Sequence, residues 1–413
     1  MGKTISQTTA NRSITLLAII LLISSLGQVT SDLYLPSLPN MAKNLGVSIH
    51  AIQFTIAIYM TGFSVSQLVY GPWSDAIGRR TPLLIGLSIN LIGSLLCWGA
   101  PNIYILLLGR FLQGLGVGAA NSLTRPILRD LFEKEKLAIY NSYLAISGIL
   151  VLSTAPILGG YIQYYLSWRY NFLYLSLYGF IILCSFYFKI PETNQHYDRN
   201  NYKLKVILKN ARYLLTSPIF LKFSLCPLLT YAGVVAWLTA APVVLQETVG
   251  LNAVQFGWIY LFSGMGFATG SFINIKFVTT QGIEKMISFG FYCQLLAGGL
   301  MLLFYLMAYI NTYVILMPII LFMLGSSLVF PNASTGSLTP FPKIAGMAGA
   351  FFGFIQVLGG TISSTIIALA HDENQFPIAI AFIITALLSM LGFRVFTSND
   401  LRHTLSKSHN EKV

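Results

Sequence analysis

The sequence predicts an all-α integral membrane protein whose twelve transmembrane helices form two six-helix bundles. Three observations indicate this fold class. The chain is 55% hydrophobic and only 9% charged, whereas soluble domains carry about 25% charged residues. Apolar runs recur along the chain, and each one is long enough to cross a bilayer. One long polar and mostly basic break, at residues 191–217, divides these runs into six and six.

The apolar runs define the predicted spans. A helix needs roughly 20 apolar residues to cross the hydrocarbon of a bilayer. The first run continues into Asp32 and Pro36 with no small-residue cleavage site, so we interpret it as a retained span rather than a signal peptide. The predicted spans are 14–36, 51–72, 82–100, 103–124, 138–162, 170–190, 219–244, 254–275, 286–308, 313–335, 345–369 and 377–396.

The basic residues predict the orientation of these spans. An even number of spans places both termini on the same side of the membrane. With the termini in the cytoplasm, 22 of the 25 Lys and Arg residues fall in cytoplasmic segments or their flanks, as the positive-inside rule requires. The net charge of +12 is spread over short breaks rather than gathered in one face or tail. This distribution argues against nucleic acid as a partner.

The long break also predicts the domain organisation. We expect an N-terminal bundle at 1–190, a cytoplasmic linker at 191–217, a C-terminal bundle at 218–396 and a cytoplasmic tail at 397–413. Two bundles that rock about a midplane site need a slack link between them. No phosphate-binding loop and no cluster with metal-ligand spacing occurs in the sequence, so we expect neither ATP, nor another cofactor, nor a metal.

An acidic residue, Asp32, ends the first apolar run. Ser24, Ser25 and Gln28 precede it at helical spacing and share roughly one face with it. A carboxylate in or near hydrocarbon costs several kcal/mol unless it is paired or protonated. This polar stripe therefore predicts a face turned toward other helices or a water-filled cavity. The alternative is that Asp32 only caps the helix at the membrane interface.

The link between the second and third spans contains Gly71, Asp75, Gly78, Arg79 and Arg80. Glycine permits the tight reversal that so short a link demands, and the aspartate and the arginines can form a charge cluster. The alternative is that the arginines only set the topology. The complete spacing of glycine, aspartate and arginine resembles the signature loop of the major facilitator superfamily, which implies the fold of that superfamily.

Two further segments extend this resemblance. The fourth span places an arginine, Arg110, inside a glycine-rich run at 109–116, as in the fourth helix of that superfamily. Its charge needs a partner or water within the membrane. The fifth span contains Pro156, Gly159 and Gly160, which resemble the kink of the proton-antiporter branch, although Ala155 replaces the first glycine of that motif.

The end of the first span resembles one subfamily, the bicyclomycin- and chloramphenicol-resistance type of drug/proton antiporter. The residues that carry this resemblance are the Asp-x-Tyr-Leu-Pro-x-x-Pro run at 32–39 and the segments 240–246 and 249–251. The resemblance implies a multi-pass protein of the bacterial inner membrane. It also implies export of small, largely apolar or cationic compounds, driven by proton entry and alternating access.

Roles for individual residues follow from this resemblance. Asp32 alone is the expected proton carrier, because Ser24 and Ser25 stand where some relatives carry a second acid. Arg110 is the cation expected to favour release of that proton. The expected conformational gate comprises the five residues of the signature loop and Asp130, beside Arg129. The expected substrate cavity comprises Gln28, Tyr34, Gln113, Asn121, Tyr140, Tyr231 and Trp237. Tyr59 and Phe262 are further aromatic candidates, although most aromatic residues of a membrane protein face lipid or pack.

Two other functions remain open at this stage. A proton-coupled importer on the same fold would carry more polar residues deep in its spans, where Gln67, Asn121 and Asn274 are candidates here. An intramembrane lipid-modifying enzyme would need a cluster of nucleophiles, acids or metal ligands. The polar run at 371–373 is the nearest approach to such a cluster, and we interpret it as a solvated turn. We expect the protein to work as a monomer.

Overall fold

The computed structural model describes residues 2–132, 134–194, 204–370 and 374–410, and its described elements are all helical. Twelve of these helices are long and apolar enough to cross a membrane. The predicted all-α fold with twelve spans is therefore confirmed. The polar run at 371–373 lies outside the described residues.

The first half contains six spanning helices and a short helix, α2, that follows the first of them. The second half contains six more, preceded by a short helix, α8, in the link between the halves. The helices of the first half are α1 (Gly2–Asp32), α2 (Leu38–Leu45), α3 (Ile49–Ile77), α4 (Arg80–Trp98), α5 (Ile103–Leu131), α6 (Lys134–Tyr165) and α7 (Trp168–Lys189). Those that follow are α8 (Leu204–Leu215), α9 (Pro218–Pro242), α10 (Ala253–Gln281), α11 (Ile283–Leu306), α12 (Thr312–Leu338), α13 (Ala345–Leu369) and α14 (Phe376–Asn410).

Two features differ from the organisation predicted for the links. Residues 204–215 of the predicted linker form the regular helix α8, because apolar residues recur there at helical spacing. At the other boundary, α14 runs on to Asn410, so the predicted tail begins within a helix.

In each half, a glycine with a positive φ angle ends the spanning helix before a short turn into the next one. Gly78 ends α3 with φ 99° and ψ 165°, and Gly282 ends α10 with φ 79° and ψ 160°. Positive φ angles of this kind favour glycine, because a Cβ atom would clash with the backbone. The glycine of the signature loop therefore has a structural counterpart at the same place in the second half.

The halves meet along two helix pairs, α3 with α13 and α6 with α10. The predicted kink in α6 supplies close contacts for this packing. A Cβ atom at Gly159 would meet the carbonyl oxygen of Leu33, and one at Gly160 would meet the carbonyl oxygen of Ala253 on α10. Gly257 of α10 packs in turn against the carbonyl oxygen of Pro156. Small residues thus allow the backbones to approach closely, as in other membrane helix pairs.

We call the end of the bundle that carries the signature loop at 78–80 the loop end, and the opposite end the far end. At the far end the halves are joined by polar contacts. The Lys43 ammonium lies 3.1 Å from a carboxylate oxygen of Glu247. The buried Gln53 amide donates to the carbonyl oxygen of Thr239 at 2.9 Å. These contacts link the first half to the second and close the far end.

At the loop end the halves separate on the side of α6 and α10, whereas α3 and α13 remain in contact there, at Gly71 with Ala350 and at Asp75 with Gly346. On α6, Asn141, Ala145 and Gly148 are exposed, whereas Ala155 and Gly159, farther along the same face, are buried. Apart from neighbouring residues of α6, no described residue lies within 4 Å of the position that a Cβ atom would take at Gly148. The opposite face of this part of α6 carries a separate exposed apolar row, which includes Ile139, Tyr143, Ile146 and Leu150. One face of α6 thus faces lipid, and the other lines a cleft that opens at the loop end.

Candidate functional site

Asp32 lies at the point where the first spanning helix ends. Pro36 and Pro39 follow closely and lack the backbone N–H that a continuing helix would use, so the chain leaves α1 through a short 3₁₀ turn. The Asp32 carboxylate is fully buried. It accepts hydrogen bonds from the Ser31 hydroxyl at 2.6 Å and from the Gln28 side-chain amide. Among the described residues, Asp32 is the one buried acid.

Arg110 is equally buried and occupies the neighbouring part of α5. Its guanidinium carbon lies 4.2 Å from the ring centre of Tyr34 and 4.3 Å from that of Tyr59. The same group donates to the carbonyl oxygen of Thr30 at 3.0 Å and to the Gln113 side-chain oxygen at 2.7 Å. Its Nε also donates to the carbonyl oxygen of Thr55 at 3.5 Å. Two aromatic faces and three oxygens therefore hold the cation in one position.

Asp32 and Arg110 interact electrostatically without a direct ion pair among the described contacts. The polar partners of the carboxylate are neutral side chains, and those of the guanidinium are neutral oxygens. A direct buried pair would strongly favour the ionised carboxylate. The observed arrangement keeps the two charges close, yet leaves the carboxylate free to take up a proton in place.

Aromatic residues of the second half complete the surroundings of Asp32. Its charge acts on the hydroxyl groups of Tyr231 and Tyr260. Tyr260 stacks on Trp237 with ring centres 5.8 Å apart, and the Tyr231 hydroxyl contacts the Met60 sulfur at 3.9 Å across the boundary between the halves. The carboxylate therefore lies where the two halves meet.

Within the described part of the chain, the buried donors around this centre that have no hydrogen-bond partner include the Tyr260 hydroxyl, the Trp237 indole N–H and one terminal nitrogen of Arg110. A buried donor without a partner costs about 1–3 kcal/mol. Such groups suit a site that binds a molecule carrying acceptors, or water, during part of its working cycle.

Six of the seven predicted cavity residues separate into three groups. Gln28 and Tyr231 are partly exposed beside Asp32, whereas Tyr34, Gln113 and Trp237 are fully buried and pack around the site. Asn121 is exposed on the face of α5 that carries Arg110, toward the loop end of the cleft.

Two aromatic candidates lie away from Asp32. The ring of Tyr140 lies 4.5 Å from that of Phe132, near the start of α6. Phe262 is 42% exposed in an outward-facing row of α10 with Trp258 and Met265. The geometry therefore does not bring Phe262 into the central cluster, because its side of α10 is exposed on the outer surface of the bundle.

Two residues of the central region escaped the sequence analysis. Tyr260 is one of 22 tyrosines, and nothing in its local sequence distinguishes it. Gln356 of α13 is partly exposed on the helix face that carries Gly349 and Gly360. A Cβ atom at Gly360 would contact the Tyr231 ring. A polar glutamine on the same helix face as two glycines could have been used to predict that this face of α13 lines the cleft.

The predicted gate residues assemble at the loop end. Arg79, only 6% exposed, donates to the Asp75 carboxylate and to the Ser74 hydroxyl at 2.7 Å. Its Nε lies 3.4 Å from a carboxylate oxygen of Asp130 at the end of α5. The cluster adjoins the second half, because a Cβ atom at Gly346 of α13 would meet the Asp75 carboxylate at 3.2 Å.

Gly71, Gly78 and Arg80 occupy the rest of this region. A Cβ atom at Gly71 would meet that of Ala350 on α13 at 3.4 Å. The Glu192 carboxylate, which follows α7, accepts hydrogen bonds from the backbone N–H groups of Arg79 at 2.8 Å and Arg80 at 3.0 Å. The start of α4 is thereby capped by an acid, as the helix dipole favours.

Comparison with known proteins identifies relatives along most of the chain. The chain is 28% identical over 371 residues to a bicyclomycin resistance protein homolog of Haemophilus influenzae, covering 90% of this chain and 93% of that protein. It is 28% identical over 386 residues to multidrug resistance protein D of Escherichia coli, covering 92% and 95%. The predicted resemblance to this type of drug-resistance transporter is confirmed.

A solved structure agrees on the fold. The crystal structure of a D-xylose–proton symporter matches with a TM-score of 0.72 at 17% identity, covering 91% of this chain and 97% of that one. At this identity the match concerns the fold alone. The family model described as Major Facilitator Superfamily matches residues 17–366. The chain is therefore a multi-pass membrane transporter rather than an enzyme, and it belongs to the Major Facilitator Superfamily.

Proposed function

We propose that this protein exports small, largely apolar or cationic compounds across the bacterial inner membrane in exchange for protons. The observation that carries the proposal is the buried Asp32 carboxylate at the boundary between the two halves, with neutral hydrogen-bond partners and Arg110 nearby. Two relatives are named for bicyclomycin or multidrug resistance, which supports drugs as the substrate class.

The proposed orientation follows from the basic residues. With both termini in the cytoplasm, the loop end is the cytoplasmic end, and the cleft opens inward. Substrate then enters the cleft from the cytoplasm or the inner leaflet. Both walls of the cleft come from one chain, so we propose that a monomer carries out the complete cycle.

In the proposed cycle, Asp32 takes up a proton when the far end is open. The neutral acid tolerates enclosure in a drier environment, because burial penalises the charged form. When the loop end opens, the proton leaves to the cytoplasm, and the ionised site accepts substrate against Gln28, Tyr231 and Gln356. Arg110 favours proton release as a fixed positive charge. One proton that moves inward through ~150 mV releases about 3.5 kcal/mol, which supports a gradient of roughly a few hundredfold.

The three unpartnered donors beside Asp32 favour a second candidate function, the import of a small polar solute with a proton. Tyr260, Trp237 and Arg110 would donate to acceptors of that solute. In both functions the proton enters the cell. Import moves substrate in the same direction as the proton and export moves it in the opposite direction, so one measurement of substrate accumulation separates them.

Replacing Asp32 by asparagine tests coupling and direction together. We expect cells that express the parent chain to accumulate less ethidium than cells without it, and Asp32→Asn to abolish this difference because the amide carries no exchangeable carboxyl proton. Accumulation is measured by fluorescence in energised cells at matched expression. Asp372→Asn, an acid outside the spans, is the matched control and retains export. Greater ethidium uptake with the parent chain, or full export by Asp32→Asn, would contradict the proposal.

Arg110→Lys tests whether the shape of the cation matters as well as its charge. A lysine keeps the charge but loses the planar stacking on Tyr34 and Tyr59. A hydrogen bond to a charged group contributes about 1.5–3 kcal/mol, so we expect transport to fall at least about tenfold. Arg125→Lys, exposed on the same helix, is the control and keeps the parent rate. Parent-like transport by Arg110→Lys would show that charge alone suffices.

Asp75→Asn tests the proposed gate. The Asp75 carboxylate adjoins Gly346 of α13 across the boundary between the halves, and the resemblance implies that this contact helps to close the loop end. We therefore expect loss of the Asp75 charge to favour the state with the far end closed. The measurement is cross-linking by a short bismaleimide of Lys43→Cys with Glu247→Cys at the far end. We expect a higher cross-linked fraction with Asp75→Asn and slower transport.

A second cysteine pair controls this measurement at the loop end. Ala145 of α6 and Ser271 of α10 are two turns beyond the contact of Ser153 with Gly264. Because the cleft is open there, we expect Ala145→Cys with Ser271→Cys to cross-link poorly, and less still with Asp75→Asn. An unchanged yield for both pairs together with unchanged transport would remove Asp75 from the gate.

A further inference from the structure

Helix α8 (Leu204–Leu215) is docked on the second half of the protein. Leu214 is fully buried in a cluster with Phe220, Phe341 and Ala348. The Tyr213 ring lies 5.8 Å from that of Phe341 in an edge-to-face arrangement. Although α8 belongs to the link between the halves, it is therefore held against α9 and α13.

The exposed surface of α8 is apolar where it borders this buried face and basic on the side that faces away from it. Leu208 is 59% exposed and Leu215 is 44% exposed, and their spacing of seven residues places them in one row along the helix. Lys209 and Arg212 are exposed beside this row. Neither of these two cations forms an ion pair with the described part of the chain.

The position of α8 places this surface at the edge of the bilayer. Only Thr216 and Ser217 separate the helix from Pro218, where the seventh candidate span begins. The Ser217 hydroxyl accepts a hydrogen bond from the Phe220 N–H and fixes the start of that span. A helix so close to a span cannot move far from the membrane surface.

We propose that α8 binds the head groups of anionic phospholipids in the leaflet at the loop end. Lys209 and Arg212 contact the lipid phosphates, and Leu208 and Leu215 enter the boundary of the acyl chains. An exposed apolar row flanked by basic side chains is the pattern of helices that lie in the membrane interface. The electrostatic attraction favours anionic over zwitterionic lipid by about fivefold for each basic residue.

The test uses the full chain in vesicles of phosphatidylcholine that contain a minor fraction of phosphatidylglycerol. Leu208→Trp adds an indole at the proposed surface. Because the parent chain already has five tryptophans, the emission of the added indole is obtained by subtracting the parent spectrum from that of the variant. Bromine atoms on the acyl chains of one lipid at a time quench a nearby indole. At equal brominated fractions, we expect brominated phosphatidylglycerol to quench the added indole several-fold more than brominated phosphatidylcholine.

The basic residues are then removed in pairs. We expect Lys209→Gln with Arg212→Gln to reduce the quenching ratio to about one, because the remaining apolar contacts do not distinguish the head groups. Lys276→Gln with Lys285→Gln removes the same charge from exposed positions at the same end and leaves the ratio unchanged. Leu215→Trp provides a second reporter if Leu208→Trp folds poorly.

Four outcomes would overturn the proposal. Equal quenching by the two lipids in the parent background would show no preference for anionic head groups. A preference that survives loss of Lys209 and Arg212 would place its origin elsewhere. Absence of quenching by either lipid would show that α8 is away from the bilayer and is covered by protein or water. Added inorganic phosphate that abolishes the preference would identify a free-anion site instead of a lipid site.

Discussion

The arrangement of Asp32 and Arg110 is the constraint on which the rest of the structure depends. Two opposite charges are buried next to each other, and each one is held by neutral partners rather than by the other. Ser31 and Gln28 donate to the carboxylate, while Thr30 and Gln113 accept from the guanidinium, which lies between two aromatic rings. Removing one partner of a direct buried ion pair is strongly destabilising, because the other charge is left without compensation. Separate neutral partners allow the carboxylate to gain or lose a proton while the cation keeps its position.

The packing of the two halves determines how the Asp32 carboxylate is enclosed. Close contacts at Gly159 and Gly160 of α6 bring the helix against α1 and α10 near the far end, whereas the same face of α6 is exposed at Asn141 and Gly148. Along α6 and α10 the halves thus meet tightly toward the far end and separate toward the loop end. Closure at the far end rests on few polar contacts, among them an ion pair between Lys43 and Glu247 that is 71% and 34% exposed. Exposed pairs of this kind are weak, so this ion pair adds little to the cost of opening the far end.

Sequence reasoning predicted the fold and the first-half side of the site, because those features depend on local pattern. Twelve apolar runs predict twelve spans. A carboxylate at the end of an apolar helix is costly unless it is paired or protonated, so its position alone marks it as a candidate functional residue. The second wall of the site was harder to predict. Tyr260 lies near Asp32 only because α10 packs against the first half. The face on which Gln356 lies is likewise set by the packing of α13, and a local sequence pattern does not encode such packing. Phe262 shows the converse, since an aromatic residue at a plausible depth faces outward when its helix is oriented by glycine contacts. Helix α8 was treated as part of a slack linker because its basic residues masked an apolar row of helical spacing.

The most direct test of the central claim is an infrared titration of the purified protein in lipid. A protonated carboxyl group that is buried has a carbonyl-stretch band separate from those of ionised carboxylates and backbone amides. The account predicts a band that is present at low pH, disappears as the pH rises, and is missing from Asp32→Asn, whereas Asp372→Asn retains it. A titrating band of full intensity in Asp32→Asn, or the lack of any such band in the parent protein, would contradict the claim that Asp32 carries the proton.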